Sequence, residues 1–322
     1  MNIILKKILP HLAAVAGFLA LAAIYFLPQL EGQVVRQGDV LQYRGMTQEI
    51  LETEEKTGEK PLWTNSMFGG MPSYQINTPH QGNYLNQLNR IMSIGIKHPI
   101  GLFLTAMLSF YILMIALGTN IWLAFIGAIA FGFTTNNITL YEAGHITKLR
   151  AISYFPLLAA GILLAYRRKY LAGGLIFAAG LGLNLLANHV QMSYYLALTI
   201  PIFAIAEFVR DFKKGQVAHF IKASAILLLG GIFALGSSLT NLWITYEYSQ
   251  DTMRGEPILA VEENTAPEAR TTSSSETEGL AWDYAMQWSN GVIDLVASFI
   301  PGAAGGGSSQ QLDPETATFQ DL

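Results

Sequence analysis

Over the first 240 residues, long apolar runs alternate with shorter polar stretches. The first run, Ile8–Leu27, is interrupted only by His11. At about 1.5 Å per helical residue, about 20 such residues cross a hydrocarbon core of about 30 Å. It ends in bulky Tyr25-Phe26-Leu27-Pro28 and has no small-residue cleavage site, which reads as a retained anchor and not a cleaved signal. Further runs occupy Ile100–Leu117, Ile121–Thr134, Ala151–Tyr166, Leu171–Leu186, Tyr194–Phe208 and Phe220–Leu239. The pattern predicts an all-α polytopic membrane protein of about seven transmembrane helices. The run from Ile121 is short, so it either continues through Asn136–Tyr141 or is partly re-entrant. In Leu171–Leu186, Gly173, Gly174, Gly180 and Gly182 suit close helix packing in lipid.

Between the first two runs lies a polar stretch, about residues 29–98, far longer than a connector needs to be. Its opening "VVRQGDVLQYRG" presents Asp39 soon after the chain leaves the first run. Tyr43, Met46 and Ile50 then form a helical stripe backed by an acidic face, which predicts an amphipathic helix at the membrane surface. Asp39 followed by Gln42 fits a capping box, so the acid reads as an N-cap, as a chemical group, or as both. In "PLWTNSMFGGMPSYQI", Gly69-Gly70 and Pro72 enforce a turn surrounded by Trp63, Phe68 and Tyr74. Those aromatics suit either a headgroup belt or a platform on which a sugar stacks.

Charge placement sets the orientation. Only 13% of residues are charged, against about 25% in soluble domains, and mean hydropathy is +0.34. The densest basic clusters, "YRRKY" and "RDFKKGQ", fall in short connections that share one side of a seven-span chain. All 23 acidic residues except Glu207 and Asp211 then fall on the other side. The positive-inside rule therefore places the N-terminus in the cytoplasm and the long loop outside. Cysteine is absent, which excludes disulfides and thiolate metal sites. No basic stripe suggests nucleic acid.

Two further outer segments carry candidate chemistry. "TTNNITLYEAGHITKLR" gathers Glu142, His145, Lys148 and Arg150. Here the basic pair either snorkels toward lipid phosphates or, with His145, forms a phosphate site. Glu142 and His145 lack zinc-motif spacing, so no metal site is assigned. Asp39 and Glu142 would bind Mg²⁺ or Mn²⁺ only if they converge. In "NLLANHVQMSYY", Asn188, His189 and Gln191 line a cavity or clasp two helices together.

The chain reads as a transmembrane domain, 1–240, followed by an extracytoplasmic segment, 241–322. In the latter, Ser/Thr/Glu-rich 262–279 predicts a flexible loop, and Gly291–Ile300 is too short to span and predicts an interfacial or re-entrant helix. Without a closing span or domain, the sequence is expected to be the N-terminal portion of a longer protein.

In order and spacing, "QGDVLQYRGM", "PLWTNSMFGGMPSYQI", "EAGHITKLR", "NHVQMSYY", "TYEYSQDTMRG" and "QWSNGVIDLVASFIPGAAGG" resemble the YfhO-type bacterial membrane protein family. That family is similar to the GT-C class of polytopic glycosyltransferases. The resemblance implies a multi-pass protein of the bacterial cytoplasmic membrane that moves a sugar from a polyprenyl-phosphate donor to an extracytoplasmic glycan, lipid or protein. By position, Asp39 would act on the acceptor, and His145, Lys148 and Arg150 would hold the donor phosphate. Gln42, Tyr43, Trp63, Phe68, Tyr74, Glu142 and His189 are candidate sugar or acceptor contacts. A non-catalytic transporter or flippase-like component is the competing expectation, although almost all charges lie outside the spans and no repeat is visible.

Overall fold

A computed structural model of the chain describes residues 3–77 and 82–252, and in the C-terminal stretch 282, 286, 287, 289, 291 and 294–297. The predicted loop at 262–279 lies outside the described residues. Of the segment predicted over Gly291–Ile300, Asp294–Ala297 is helical (α14). The chain divides into two compact units, Met1–Leu242 and Trp243–Leu322.

The first unit is helical throughout its apolar parts. Helices α1 (Ile3–Tyr25) and α2 (Leu27–Leu30) lead into the long polar stretch, which carries α3 (Gly38–Thr57), a hairpin of β1 (Trp63–Thr64) and β2 (Met71–Pro72), and α4 (Leu85–Met92). Then follow α5 (Ile100–Leu117), α6 (Ile121–Gly132), α7 (Thr135–Ala143), α8 (Ile146–Ser153), α9 (Phe155–Tyr166), α10 (Tyr170–Leu186), α11 (Val190–Lys213), α12 (Val217–Ser237) and α13 (Leu239–Gln250). Among the described residues six helical segments are long and apolar enough to cross a membrane, and α10, of 17 residues, is a shorter apolar helix packed among them. The protein is an all-α polytopic membrane protein.

Two of the six spans are broken. Ile121–Ala143 comprises α6 and α7, and Ile146–Tyr166 comprises α8 and α9. The run from Ile121 thus continues through Asn136–Tyr141, the longer of its two expected readings, and Thr134–Arg150 is two short helices hinged at Gly144-His145 and not an outer loop. Interruption of a helix within a span frees carbonyls that water cannot reach, and a side chain must satisfy them. Buried Asn137 does so, donating from Nδ2 to Phe131 O at 2.9 Å and Gly132 O at 3.1 Å. At the second break Pro156 lacks an N–H and sits in the first turn of α9, where none is needed.

Side-chain contacts fix the helix directions. His11 Nδ1 lies 2.7 Å from the Tyr111 hydroxyl while Phe26 packs on Phe103, so α1 and α5 run antiparallel. A Cβ at Gly161 would come within 2.4 Å of the Phe177 nitrogen, and one at Gly173 within 2.4 Å of the Ala165 nitrogen. These glycines let α9 and α10 approach backbone to backbone, as the glycine-rich run predicts. Arg167 donates to Ala116 O at 2.7 Å and Arg168 to Gln216 Oε1 at 2.8 Å. Both basic clusters therefore share one end of the bundle, with the start of α1. The C-terminal end of α1, the N-terminal end of α5, the α7–α8 hinge and the α10–α11 turn share the other.

Candidate functional site

At that second end the first turn of α3 docks against the α7–α8 hinge. Gly144 adopts φ +94°, and a Cβ there would lie 3.1 Å from Asp39 Cβ and 3.2 Å from Gln37 Cβ. The close approach therefore needs glycine for both space and backbone conformation. Buried Gln37 donates from Nε2 to the Tyr141 carbonyl. His145 Nδ1 lies 2.6 Å from Asp39 Oδ2, and the two side chains are 46% and 51% exposed, so a solute can reach both.

The capping-box expectation fails. Gln37 is the N-cap of α3, it makes no side-chain cap bond, and Asp39 is the second helical residue. The Asp39 carboxylate turns outward to His145, across 106 residues of sequence, and a local pattern cannot register that partner. Its charge still lies in the first turn, where the helix dipole favours an anion.

The expected phosphate cluster is divided between two directions. Lys148 and Arg150 stand two residues apart on α8, hence about 200° apart around the helix. His189, the N-cap of α11, lies within electrostatic reach of Lys148 and His145. Burial holds its pKa below the usual histidine range, and nearby Lys148 and His145 add to the effect. Its Nδ1 is buried without a hydrogen-bond partner among the described residues. Arg150 instead faces a cavity of about 220 Å³ with Asn89, His98 and Tyr154. His98 is solvent-accessible along this edge, but the surrounding protein still disfavours its charged form, and the Arg150 guanidinium lowers its pKa further.

The remaining expected residues do not converge on Asp39–His145. Gln42 and Tyr43 are exposed on α3; of the predicted stripe Ile50 is buried, Met46 is half-buried and Tyr43 is exposed, and Thr47 joins Ile50 on the buried face. Trp63 and Phe68 are exposed on the hairpin, and Tyr74 is partly buried in the turn after it. Glu142 is exposed on α7. Among the described residues no group of three or more His, Asp or Glu side chains is placed to hold a metal ion.

Glu49, which sequence reasoning passed over, organises the hairpin. Its carboxylate accepts from Thr64 Oγ1 at 2.5 Å, Asn65 N at 2.8 Å, Ser66 N at 3.0 Å and Asn65 Nδ2 at 3.2 Å. The Thr64 hydroxyl and the Asn65 amide are the main causes of a pKa below the usual carboxylate value. Nothing in the sequence separates Glu49 from Glu52, Glu54 and Glu55 on the same acidic helix.

Comparison with known proteins adds no name to this geometry. No family model, curated protein or solved structure matches the chain. Its chemistry rests on the arrangement itself: an accessible carboxylate–imidazole pair, two separately directed cations and a half-buried histidine, gathered at the bundle end opposite the basic connections.

Proposed function

We propose that the chain is a GT-C-like membrane glycosyltransferase of the YfhO type in the bacterial cytoplasmic membrane, its N-terminus cytoplasmic. It transfers a sugar from a polyprenyl-phosphate donor to an extracytoplasmic glycan, lipid or protein. The observation that carries this reading is the Asp39–His145 contact at an accessible bundle end. Asp39 removes the proton from an acceptor hydroxyl as its oxygen attacks the anomeric carbon with inversion. The bond from that carbon to the phosphate oxygen breaks, and polyprenyl phosphate leaves as an anion. His145 donates from Nδ1 to Asp39 Oδ2, holding the carboxylate while Oδ1 stays open to the acceptor. Lys148 and Arg150 give this end the positive potential that a departing phosphate needs.

The test is transfer by the full chain in lipid nanodiscs, using defined polyprenyl-phosphate sugars. Asp39→Asn lowers the rate about 10²–10⁴-fold, the usual loss for a general base. Transfer by that variant at the wild-type rate removes Asp39 from the chemistry.

A second reading has one observation in its favour. Broken spans such as α6–α7 and α8–α9 are characteristic of transporters, whose interrupted helices border substrate sites. A flippase-like protein moves the lipid-linked sugar across liposomes without transferring it, and the Asp39→Asn assay run alongside separates the two.

A further inference from the structure

On the other side of the α3 first turn from Asp39 lies a groove of about 530 Å³, bordered by α2, the chain leading into α3, and the start of α5. Its size falls within the range of about 300–1,000 Å³ that holds small molecules. Arg36, Arg44, Lys97 and His98 stand along it. None of the first three makes an ion pair among the described residues. The acids nearest in sequence, Glu31 and Asp39, are not in the wall. The remaining wall is largely apolar, and Leu30, Val34 and Leu41 leave 58%, 80% and 48% of their surfaces exposed there. Three uncompensated cations beside uncovered aliphatic side chains suit a ligand that is anionic at one end and hydrocarbon at the other. The N-terminal turn of α5, a helix of 18 residues with no acid in it, borders the groove and adds to its positive potential.

We infer that this groove binds one lipid molecule through its phosphate headgroup, with Arg36, Arg44 and Lys97 on the phosphate and the hydrocarbon along Leu30, Val34 and Leu41. A free phosphate ion would leave the aliphatic wall uncovered. A zwitterionic headgroup would bring an ammonium group, quaternary in phosphatidylcholine, among the cations. The site lies at the end of α1, where a span meets the headgroup region, so a lipid enters sideways from the bilayer. Asp39 does not line the groove, and the inference stands whether or not Asp39 performs transfer.

The probes are phosphatidic acid, phosphatidylcholine and inorganic phosphate, offered to the purified full chain and read by native mass spectrometry. Phosphatidic acid binds one to one and at least about tenfold more tightly than phosphatidylcholine, and millimolar inorganic phosphate does not displace it. The Arg36→Gln/Arg44→Gln/Lys97→Gln variant weakens its retention about tenfold or more, while Lys56→Gln, remote on α3, leaves it unchanged. Should the triple variant melt differently from the wild type, Arg44→Gln alone is read and shows a smaller loss of the same sign. Equal retention by wild type and variant, equal binding of phosphatidylcholine, or displacement by inorganic phosphate each overturns the inference.

Discussion

A carboxylate oxygen can only accept, so the short contact with Asp39 places a His145 proton on Nδ1. Substitution of His145 by Ala removes the brace and not the base. If Asp39 is the base, His145→Ala therefore lowers transfer less than Asp39→Asn, and the two rates from one assay check that order. Glu49 carries a different prediction. Its folded pKa is depressed, so it stabilises the hairpin fully above the ordinary carboxylate value of 4.5, and this is lost as pH falls through the lowered value. Hydrogen exchange at Asn65 and Ser66 shows protection that is level down to that range and then falls. Glu49→Gln removes the protection at neutral pH. His189 has the reverse chemistry, a base whose charged form burial disfavours. The stability it contributes is complete above the ordinary value of 6.5 and declines as pH drops from there to its lowered pKa. Lys148→Gln moves the His189 midpoint upward in an NMR titration but not to 6.5, because burial, the larger cause, remains. Sequence alone flagged Asp39, His145 and His189, since each is a titratable side chain beside an apolar run. It put Asp39 and His145 on one face, but the direct contact between them, 106 residues apart, leaves no local periodicity to read.

Among elements, the apolar runs were legible and their interruptions were not. Six spans stand where hydropathy places them, since apolar length is a property of the local chain. The break between α6 and α7 depends on a single buried amide, Asn137, whose polar neighbours in sequence made the segment read as a loop. Asn137→Ala leaves the buried Gly132 carbonyl without its side-chain donor and the Phe131 carbonyl with only the long bond from the Thr134 amide, and costs about 1–3 kcal/mol, measurable as a lowered thermal midpoint. The α9–α10 seam is stricter, because its nearest neighbours are backbone atoms that cannot swing aside. Gly161→Ala destabilises by about 1–3 kcal/mol. Gly45→Ala in α3, where a Cβ meets nothing within 4 Å, stabilises by about 0.5–1 kcal/mol. Paired thermal melts of the two variants test that contrast in sign.

For the molecule as a whole, the charge pattern carried more of the architecture than any motif did. Both basic clusters meet at one bundle end, joined by the bond from Arg168 to Gln216, and the carboxylate–imidazole pair lies at the other. The proposed orientation has a direct test, because the chain has no cysteine to mask. In intact cells a membrane-impermeant maleimide labels Glu59→Cys and spares Lys214→Cys, and the opposite pattern reverses the orientation. The amphipathic character of the long first loop was readable too, although its helix rests on Thr47 and Ile50 and is gripped by the bundle at its first turn. That grip has a mechanical consequence. Twenty residues of α3 make a rod about 30 Å long, pivoted beside Asp39 and Gly144 and weighted at its middle by the hairpin on Glu49. A tilt of about 10° at the pivot sweeps the free end through about 5 Å. Whatever competes with His145 for Asp39 therefore loosens the fulcrum of a lever, and a small event at the carboxylate is written large at the distant tip.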